Sequence, residues 1–393
     1  MGLHVLSIPS WYPNEYNQLS GIFFKEQNEE LSKSEKIRLN VIVVQPIGIK
    51  PILKTKKIKF GFYSYLENNI YTYMFQYPYI LRNFDLDQRI KIKVFQKIFK
   101  KYVEKHGIPD IVHLHSFVNG ELALYLKNNY NIPYIVTEHS SVLATKAIKH
   151  KLENFCKKVY SNSSFNIAVS RKYANLLEEK FQIKFEFIPN FVNSEFFKFF
   201  PKKDKNEFVF INVAFLNKGK GQDMLVKAFY RAFKDIHSVK LIIAGDGPEY
   251  NNLRNLIKSL NMENRIILFG KVDRNQVMKL MSSSDAFVLS SYYETFGVVL
   301  AEALAVGLPV VSTKCGGPES IITNNKVGIL TDISELDLAE GMYNLYINRD
   351  KFDTNYIKTF AYDNFSSNVV VKKYLDIYYK ISGSKNENSI FID

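Results

Sequence analysis

The run Ser291-Tyr-Tyr-Glu-Thr-Phe-Gly-Val-Val-Leu-Ala-Glu302 sets two carboxylates eight residues apart, one on each side of a Phe-Gly turn. Glu294 follows an apolar run, Ala286 to Ser290, that reads as a buried strand. Glu302 falls within a helical pattern from Val298 to Val306. A strand that ends at a carboxylate and a glycine turn, then opens a helix, makes a polar pocket at the strand's carboxyl end, where open α/β sheets bind ligands. The helix start offers N–H groups to an anion. Ionised carboxylates accept hydrogen bonds from hydroxyls and donate none. The chemistry implied is recognition of a ligand with both phosphate and sugar hydroxyls. A glutamate that caps the helix and a second that faces solvent fit the same spacing, and the run alone leaves both readings open.

Other segments add weaker signals. Gly219-Lys220-Gly221 lies between a strand and the helical pattern Gln222–Phe233, which suits diphosphate binding or a plain turn with an exposed lysine. The spacing of a P-loop is absent, and so is a GxGxxG fingerprint in strand-helix context, which counts against a dinucleotide oxidoreductase. Gly245-Asp-Gly-Pro248 reads as a shaped loop. His139, in Thr137-Glu-His-Ser-Ser141, is the better functional histidine; His113 and His115 sit at another strand end, and His113 reads as structural. No HExxH or other metal-ligand spacing is found, and Asp85-Leu-Asp87 reads as surface. Gly21 ends a polar loop, Asn14–Phe24, and opens a helix aimed as phosphate-binding helices are. The aromatic stretch Tyr63–Phe84, after the basic Lys54–Lys59, reads either as an interfacial membrane-binding segment or as a partly buried irregular one.

Elements that would position these groups are legible as strand-like runs alternating with helical patterns, the signature of parallel α/β architecture. The expected strands are Leu3–Ile8, Leu39–Gln45, Ile111–His115, Tyr134–Thr137 and Asn166–Val169, then Phe208–Ala214, Lys240–Ala244, Arg265–Phe269, Ala286–Leu289 and Pro309–Ser312. Helices are expected at Gly21–Lys33 and at Arg89–His106, the latter with Ile90, Val94, Ile98 and Tyr102 facing the core. A charged, aromatic stretch, Lys198–Glu207, reads as a linker. Two doubly wound domains follow, 1–195 and 196–365, with an amphipathic helix at 366–382 and a frayed tail at 383–393. The length of 393 residues suits this division.

Two cysteines, Cys156 and Cys315, are too few for a disulfide framework or structural zinc site. The start at Met1 lacks a leader pattern and no run is long enough to span a membrane, so a cytoplasmic protein is expected. Of the net +13, residues 1–190 carry +11, from 27 Lys+Arg and 16 Asp+Glu. That half suits an anionic membrane surface or a lipid-phosphate acceptor as well as a lysine-rich solvated face. Nucleic acid has no motif in its favour.

Together these residues resemble the retaining glycosyltransferases of family 4, with the GT-B fold of two Rossmann-like doubly wound domains facing each other across a cleft. The likeness is strongest from Phe208 to Ile322: the strand before Lys220-Gly221, the Ile-Ala-Gly-Asp-Gly-Pro block, the Glu294…Glu302 pair and Gly307-Leu-Pro-Val-Val311. The resemblance implies a nucleotide-sugar donor on the second domain, a UDP-sugar by default and a GDP-sugar as the other option. The acceptor would lie on the first domain, with the last helix packed back on it. Glu302 would take the ribose hydroxyls and Lys220 the diphosphate. Glu294 and the backbone of Phe296, Gly297 and Val298 would hold the sugar, with Val272 near the base. Gly21 would let its loop approach the phosphates, and His139 would orient the sugar. Neither metal nor cofactor is implied. Many members place an arginine five residues before the lysine; here Phe215 stands there, so either Lys218 would supply the missing charge or the phosphates would rely more on the helix dipole and backbone N–H groups. The expected role is extension of a bacterial surface polysaccharide or lipid-linked glycan by a cytoplasmic enzyme, with peripheral membrane attachment as an option. A UDP-sugar epimerase of the same fold and a non-catalytic nucleotide-sugar-binding subunit are the alternatives.

Overall fold

The computed structural model describes residues 2–15, 17, 20–54, 58–79, 84–145, 148–201 and 207–383. Residues 202–206 of the expected linker and 384–393 of the expected tail lie outside them. Close packing divides the chain into two units. Unit 1 comprises Met1–Ala168, Ala174–Ile188 and the chain from Val371; unit 2 comprises Val169–Tyr173 and Pro189–Val370.

Unit 1 contains β1 (Leu3–Pro9), β2 (Ile37–Gly48), β3 (Gly61–Glu67), β4 (Ile70–Tyr79), β5 (Ile111–His115), β6 (Tyr134–Glu138), β7 (Phe165–Ala168) and β8 (Glu186–Phe187). They form one sheet in the order β3-β4-β2-β1-β5-β6-β7-β8. All neighbours are parallel except the β3–β4 hairpin, where Phe62 pairs with Phe75. The central strands are apolar without alternation, as β1, β5 and β6 are buried along their whole length. Strands covered on both faces require this.

Two expectations change here. Tyr63–Phe84 is not irregular: most of it forms β3 and β4, joined through Asn68 and Asn69 in left-handed conformation. Asparagine tolerates that region better than most residues, so the pair makes a hairpin turn. The helix expected at Arg89–His106 spans Phe84–His106. Its buried face runs through Asp87, Lys91, Phe95, Ile98 and Tyr102, while Ile90 and Val94 are only half-buried. Asp87 is therefore not a surface residue. It accepts from Lys91 at 2.9 Å, an i,i+4 pair with both side chains buried, and from the Tyr77 hydroxyl. Asp85 does lie at the surface and pairs with Lys151.

Unit 2 contains β9 (Phe208–Val213), β10 (Val239–Ala244), β11 (Ile266–Gly270), β12 (Ala286–Leu289), β13 (Val310–Thr313) and β14 (Gly328–Thr331). The order is β11-β10-β9-β12-β13-β14, parallel throughout. Each unit is thus a Rossmann-like α/β layer structure. In both sheets the strand order reverses beside the first strand, between β1 and β5 and between β9 and β12. Crevices for ligands form at the carboxyl ends of such switch points. Among the described residues no helix is long and apolar enough to cross a membrane.

Candidate functional site

In unit 2 the switch point brings together Lys220 and Glu294, two of the residues singled out from sequence. The turn after β9 carries Lys218–Lys220 and ends at Gly221, which opens helix Gln222–Phe233 with φ 62°. A Cβ on Gly221 would stand 2.2 Å from the Ser290 carbonyl oxygen, so only glycine lets this turn meet the end of β12. The contact is locked from both sides. Ser290 Oγ donates to the Lys220 carbonyl at 2.9 Å, and the Tyr292 N–H donates to the Gly219 carbonyl at 3.0 Å.

This clamp brings Lys220 Nζ to 2.5 Å from Glu294 Oε1, which also accepts from Ser291 Oγ at 2.8 Å. The Glu294 main chain is fixed in turn by Cys315 O and the Gly317 N–H. Glu294 does not cap the following helix, Val298–Val306. Gly297 stands at its N-cap and provides no side-chain cap. The helix start therefore keeps N–H groups for an anion beside a lysine.

Helix Val298–Val306 is apolar and buried from Leu300 to Val306. Glu302 is its one charged residue, and it is wholly buried rather than solvated. A buried carboxylate must be paired. Arg274 does this, with Nη1 2.6 Å from Glu302 Oε1 and its guanidinium 4.9 Å over the Phe196 ring. Glu302 Oε2 is buried with no hydrogen-bond partner among the described residues, which leaves one acceptor for a ligand hydroxyl. Arg274 escaped the sequence reading because it is 28 residues from Glu302; the signal was a glutamate in an otherwise apolar helix. Val272 lies two residues before Arg274, half-buried, ahead of an Asp273–Gln276 capping box. Phe296 is buried against Phe365, so only its backbone is available to a ligand. Phe215, at the position where arginine was sought, is 60% exposed.

Unit 1 brings a second set together. Gly21 has φ 69° and opens helix Ile22–Ser32; a Cβ there would lie 2.5 Å from the Trp11 carbonyl oxygen. The next turn places Phe24 with its ring centre 4.9 Å from that of His115 and 5.1 Å from that of His139, and Phe23 5.1 Å from His139. His113 is structural, bonded to the Tyr378 hydroxyl at 2.7 Å and the Thr137 hydroxyl at 2.8 Å. His115 and His139 are buried, and among the described residues neither ring nitrogen of either has a hydrogen-bond partner. Burial pushes His113 and His139 down to about 3 and His115 well below its ordinary value, helped by the neighbouring histidines in the cases of His113 and His115. All three are neutral imidazoles at neutral pH.

One residue that the sequence reading passed over organises this region. Glu138, fully buried, accepts from the N–H groups of His139 (3.0 Å) and Ser140 (2.8 Å) with Oε1. Its Oε2 accepts from the Phe117 N–H (3.0 Å) and the Tyr160 hydroxyl (2.7 Å). Burial raises its pKa, and these hydrogen bonds oppose the rise. The carboxylate thereby ties the loop after β6 to the turn after β5, where Ser116 adopts φ 70° and ψ 152°. For a non-glycine residue that conformation is strained, and strain of this kind persists only under such restraint.

The neutral histidines make a stability prediction. Their folded pKa values lie below the unfolded value of roughly 6.5. Between those limits the unfolded chain binds more protons, so stability falls as the pH is lowered from about 6.5 toward 3. Each histidine contributes a slope of up to roughly 1.4 kcal/mol per pH unit. Denaturation curves between pH 7 and pH 5 test this, and His113→Gln flattens the slope if the assignment is right. An unchanged slope would remove His113 as a contributor.

Comparison with known proteins agrees with this geometry. Residues 193–359 match the model for glycosyl transferases group 1, and residues 65–196 match that for Glycosyltransferase Family 4. N-acetyl-alpha-D-glucosaminyl L-malate synthase of Bacillus anthracis is 26% identical over 288 residues, covering 69% of this chain and 75% of that protein. An uncharacterized glycosyltransferase of Methanocaldococcus jannaschii is 33% identical over 259 residues, covering 65% of this chain and 70% of that protein. Among solved structures, HepE of Anabaena in complex with UDP and glucose superposes with a TM-score of 0.71 at 16% identity, over 96% of this chain and 100% of that one. Two adjoining domain models, a one-third-identical relative and a shared two-unit fold place this chain in the glycosyltransferases, with the GT-B fold.

Proposed function

We propose that the chain is a retaining, metal-independent transferase that moves a sugar from a UDP-sugar to a hydroxyl of a glycan or lipid-linked saccharide in bacterial surface polysaccharide synthesis. The observation that carries the donor assignment is the switch point of unit 2. A lysine bonded to one carboxylate stands there, and the helix that follows carries a second carboxylate with a buried oxygen that has no partner among the described residues. In this reading Lys220 and the N-terminus of helix Val298–Val306 meet the charge that grows on the leaving diphosphate. Glu294 accepts from hydroxyls of the transferred sugar, and Glu302 Oε2 from the ribose. The backbone of Phe296, Gly297 and Val298 borders the sugar, and Val272 the base. In unit 1, His139 is a neutral hydrogen-bonding group, since burial pushes its pKa down to about 3.

The bond from the anomeric carbon to the diphosphate breaks, a bond to the acceptor oxygen forms on the same face, and the acceptor's proton passes to a diphosphate oxygen. The name of the B. anthracis relative specifies an α-linked glucosaminyl product, which is what retention from an α-linked nucleotide sugar gives. The solved HepE complex, which holds UDP, supports the choice of nucleotide. The basic half, with +11 over residues 1–190, supports an acceptor presented at an anionic lipid surface.

The experiment is transfer from UDP-, GDP- and ADP-sugars to a saccharide panel, with the product anomer read by NMR and EDTA present in parallel. The α anomer from an α-linked UDP-sugar, formed equally well in EDTA, is expected. A β product overturns retention, and loss of activity in EDTA that added Mg²⁺ restores overturns metal independence. For Glu302→Ala the expected result is UDP binding weakened at least tenfold, about 1.4 kcal/mol. An unchanged dissociation constant in calorimetry would end the ribose role.

A further inference from the structure

Unit 2 contains a cavity of about 510 Å³, lined by helices Gln222–Phe233 and Tyr250–Ser259. These two helices pack on each other, whereas the helix of Glu302 packs against Arg274–Ser282 and Thr354–Phe365. The cavity therefore belongs to the other helix layer from the ribose carboxylate.

Its lining carries a specific unmet demand. Gln222 is 2% exposed and faces the cavity. Its Nε2 donates to the Phe215 carbonyl at 3.4 Å, and its Oε1 is buried with no partner among the described residues. An amide oxygen only accepts, so the missing partner is a donor. Phosphate and carboxylate groups at neutral pH have little to donate, whereas a hydroxyl does. The charges agree: Lys218 and Lys227 are offset by Asp223 and Glu249 in the same lining, so the cavity has no net sign. Asn252, whose side-chain amide donates to Glu249 Oε2 at 2.8 Å, adds a further polar group at the rim. The Tyr292 ring, 45% exposed, offers an aromatic surface to the C–H side of a sugar ring.

We propose that this cavity is a second saccharide site, which takes a neutral part of a glycan remote from the reacting sugar. That the glycan is substrate or product rests on the glycosyltransferase reading; that the cavity binds a neutral saccharide does not. The site is coupled to the first. Asn217 at its wall receives the Lys220 N–H at 3.0 Å, and Tyr292 holds Gly219. An occupant thus bears on both halves of the clamp that sets Lys220 against Glu294.

The test uses saturation-transfer NMR on the full chain. The probes are maltotetraose, chitotetraose and β-1,4-galactotetraose, each with saturating UDP, and inorganic phosphate in a separate arm. At least one tetrasaccharide is expected to bind the wild type. Asn252→Trp, which fills the cavity from an exposed helix position, is expected to weaken that binding at least tenfold while UDP still binds. Gln222→Leu, which removes the orphan acceptor, is expected to weaken it as well. The proposal is overturned if no tetrasaccharide binds, if Asn252→Trp binds as tightly as wild type, or if phosphate alone occupies the cavity. Failure of UDP to bind would instead count against the donor assignment, so the two readings fail separately.

Discussion

Lys220→Ala lowers kcat/KM for sugar transfer by about 10²–10³-fold, the usual cost of deleting one preorganised group that stabilises developing charge. Glu294→Ala gives a loss of similar size, and the double variant loses less than the product of the two. The reason is geometric. The lysine ammonium and the carboxylate share one hydrogen bond at 2.5 Å, and Ser291 holds the same carboxylate oxygen. Removing either group misplaces the other, and groups that act as a unit are not additive. The effect on stability is small by comparison, because Lys220 is partly exposed and such pairs are worth little in water. Turnover at the wild-type rate by a folded Lys220→Ala protein would contradict the role of this residue.

Glu138→Ala acts through unit 1 and costs stability as well as rate. Three backbone N–H groups and one tyrosine hydroxyl lose their acceptor around a fully buried side chain. Leaving a buried donor unsatisfied costs about 1–3 kcal/mol, so a total of about 3 kcal/mol or more is expected. Glu138→Gln is the sharper probe. It keeps the volume but turns an amide NH₂ toward N–H donors, so it is expected to be nearly as damaging as alanine. Because Glu138 holds the loop that carries His139, kcat is expected to fall in both variants even well below their unfolding temperature, with a smaller change in KM. Urea denaturation at the wild-type midpoint by Glu138→Gln would refute the structural half of this claim.

The sequence was most legible where burial on both faces forces long apolar runs. Strands such as β5, β12 and β1 could be read to within a residue for that reason. The same rule fails at the sheet edge. β3 and β4 hold Tyr and Phe beside Ser, Thr and Gln, a composition that suits a lipid interface as well as a half-covered hairpin, and only the Asn68-Asn69 turn tells them apart. β14 was missed because four residues, Gly328–Thr331, are too few to show a period.

For the candidate site, residue types were readable and partnerships were not. Lys220 and Glu294 are 74 residues apart, and Arg274 and Glu302 are 28 apart. Parallel crossovers bring such positions together at one end of the sheet, but nothing in their local spacing says which cation meets which carboxylate. Glu302 could have been suspected from its setting, since a lone charge in an apolar helix has to be paired. Glu138 follows the same rule: it ends a wholly buried strand. Asp87 and Lys91 offered a third instance, four residues apart on the face that also carries Phe95 and Tyr102.

The most direct measurement is a crystal structure of the chain with UDP bound. The account predicts diphosphate oxygens within hydrogen-bond distance of Lys220 Nζ and of the N–H groups at the start of helix Val298–Val306, with a ribose hydroxyl on Glu302 Oε2. Nucleotide density at full occupancy elsewhere, with the Lys220–Glu294 pair and Glu302 Oε2 untouched, would contradict it.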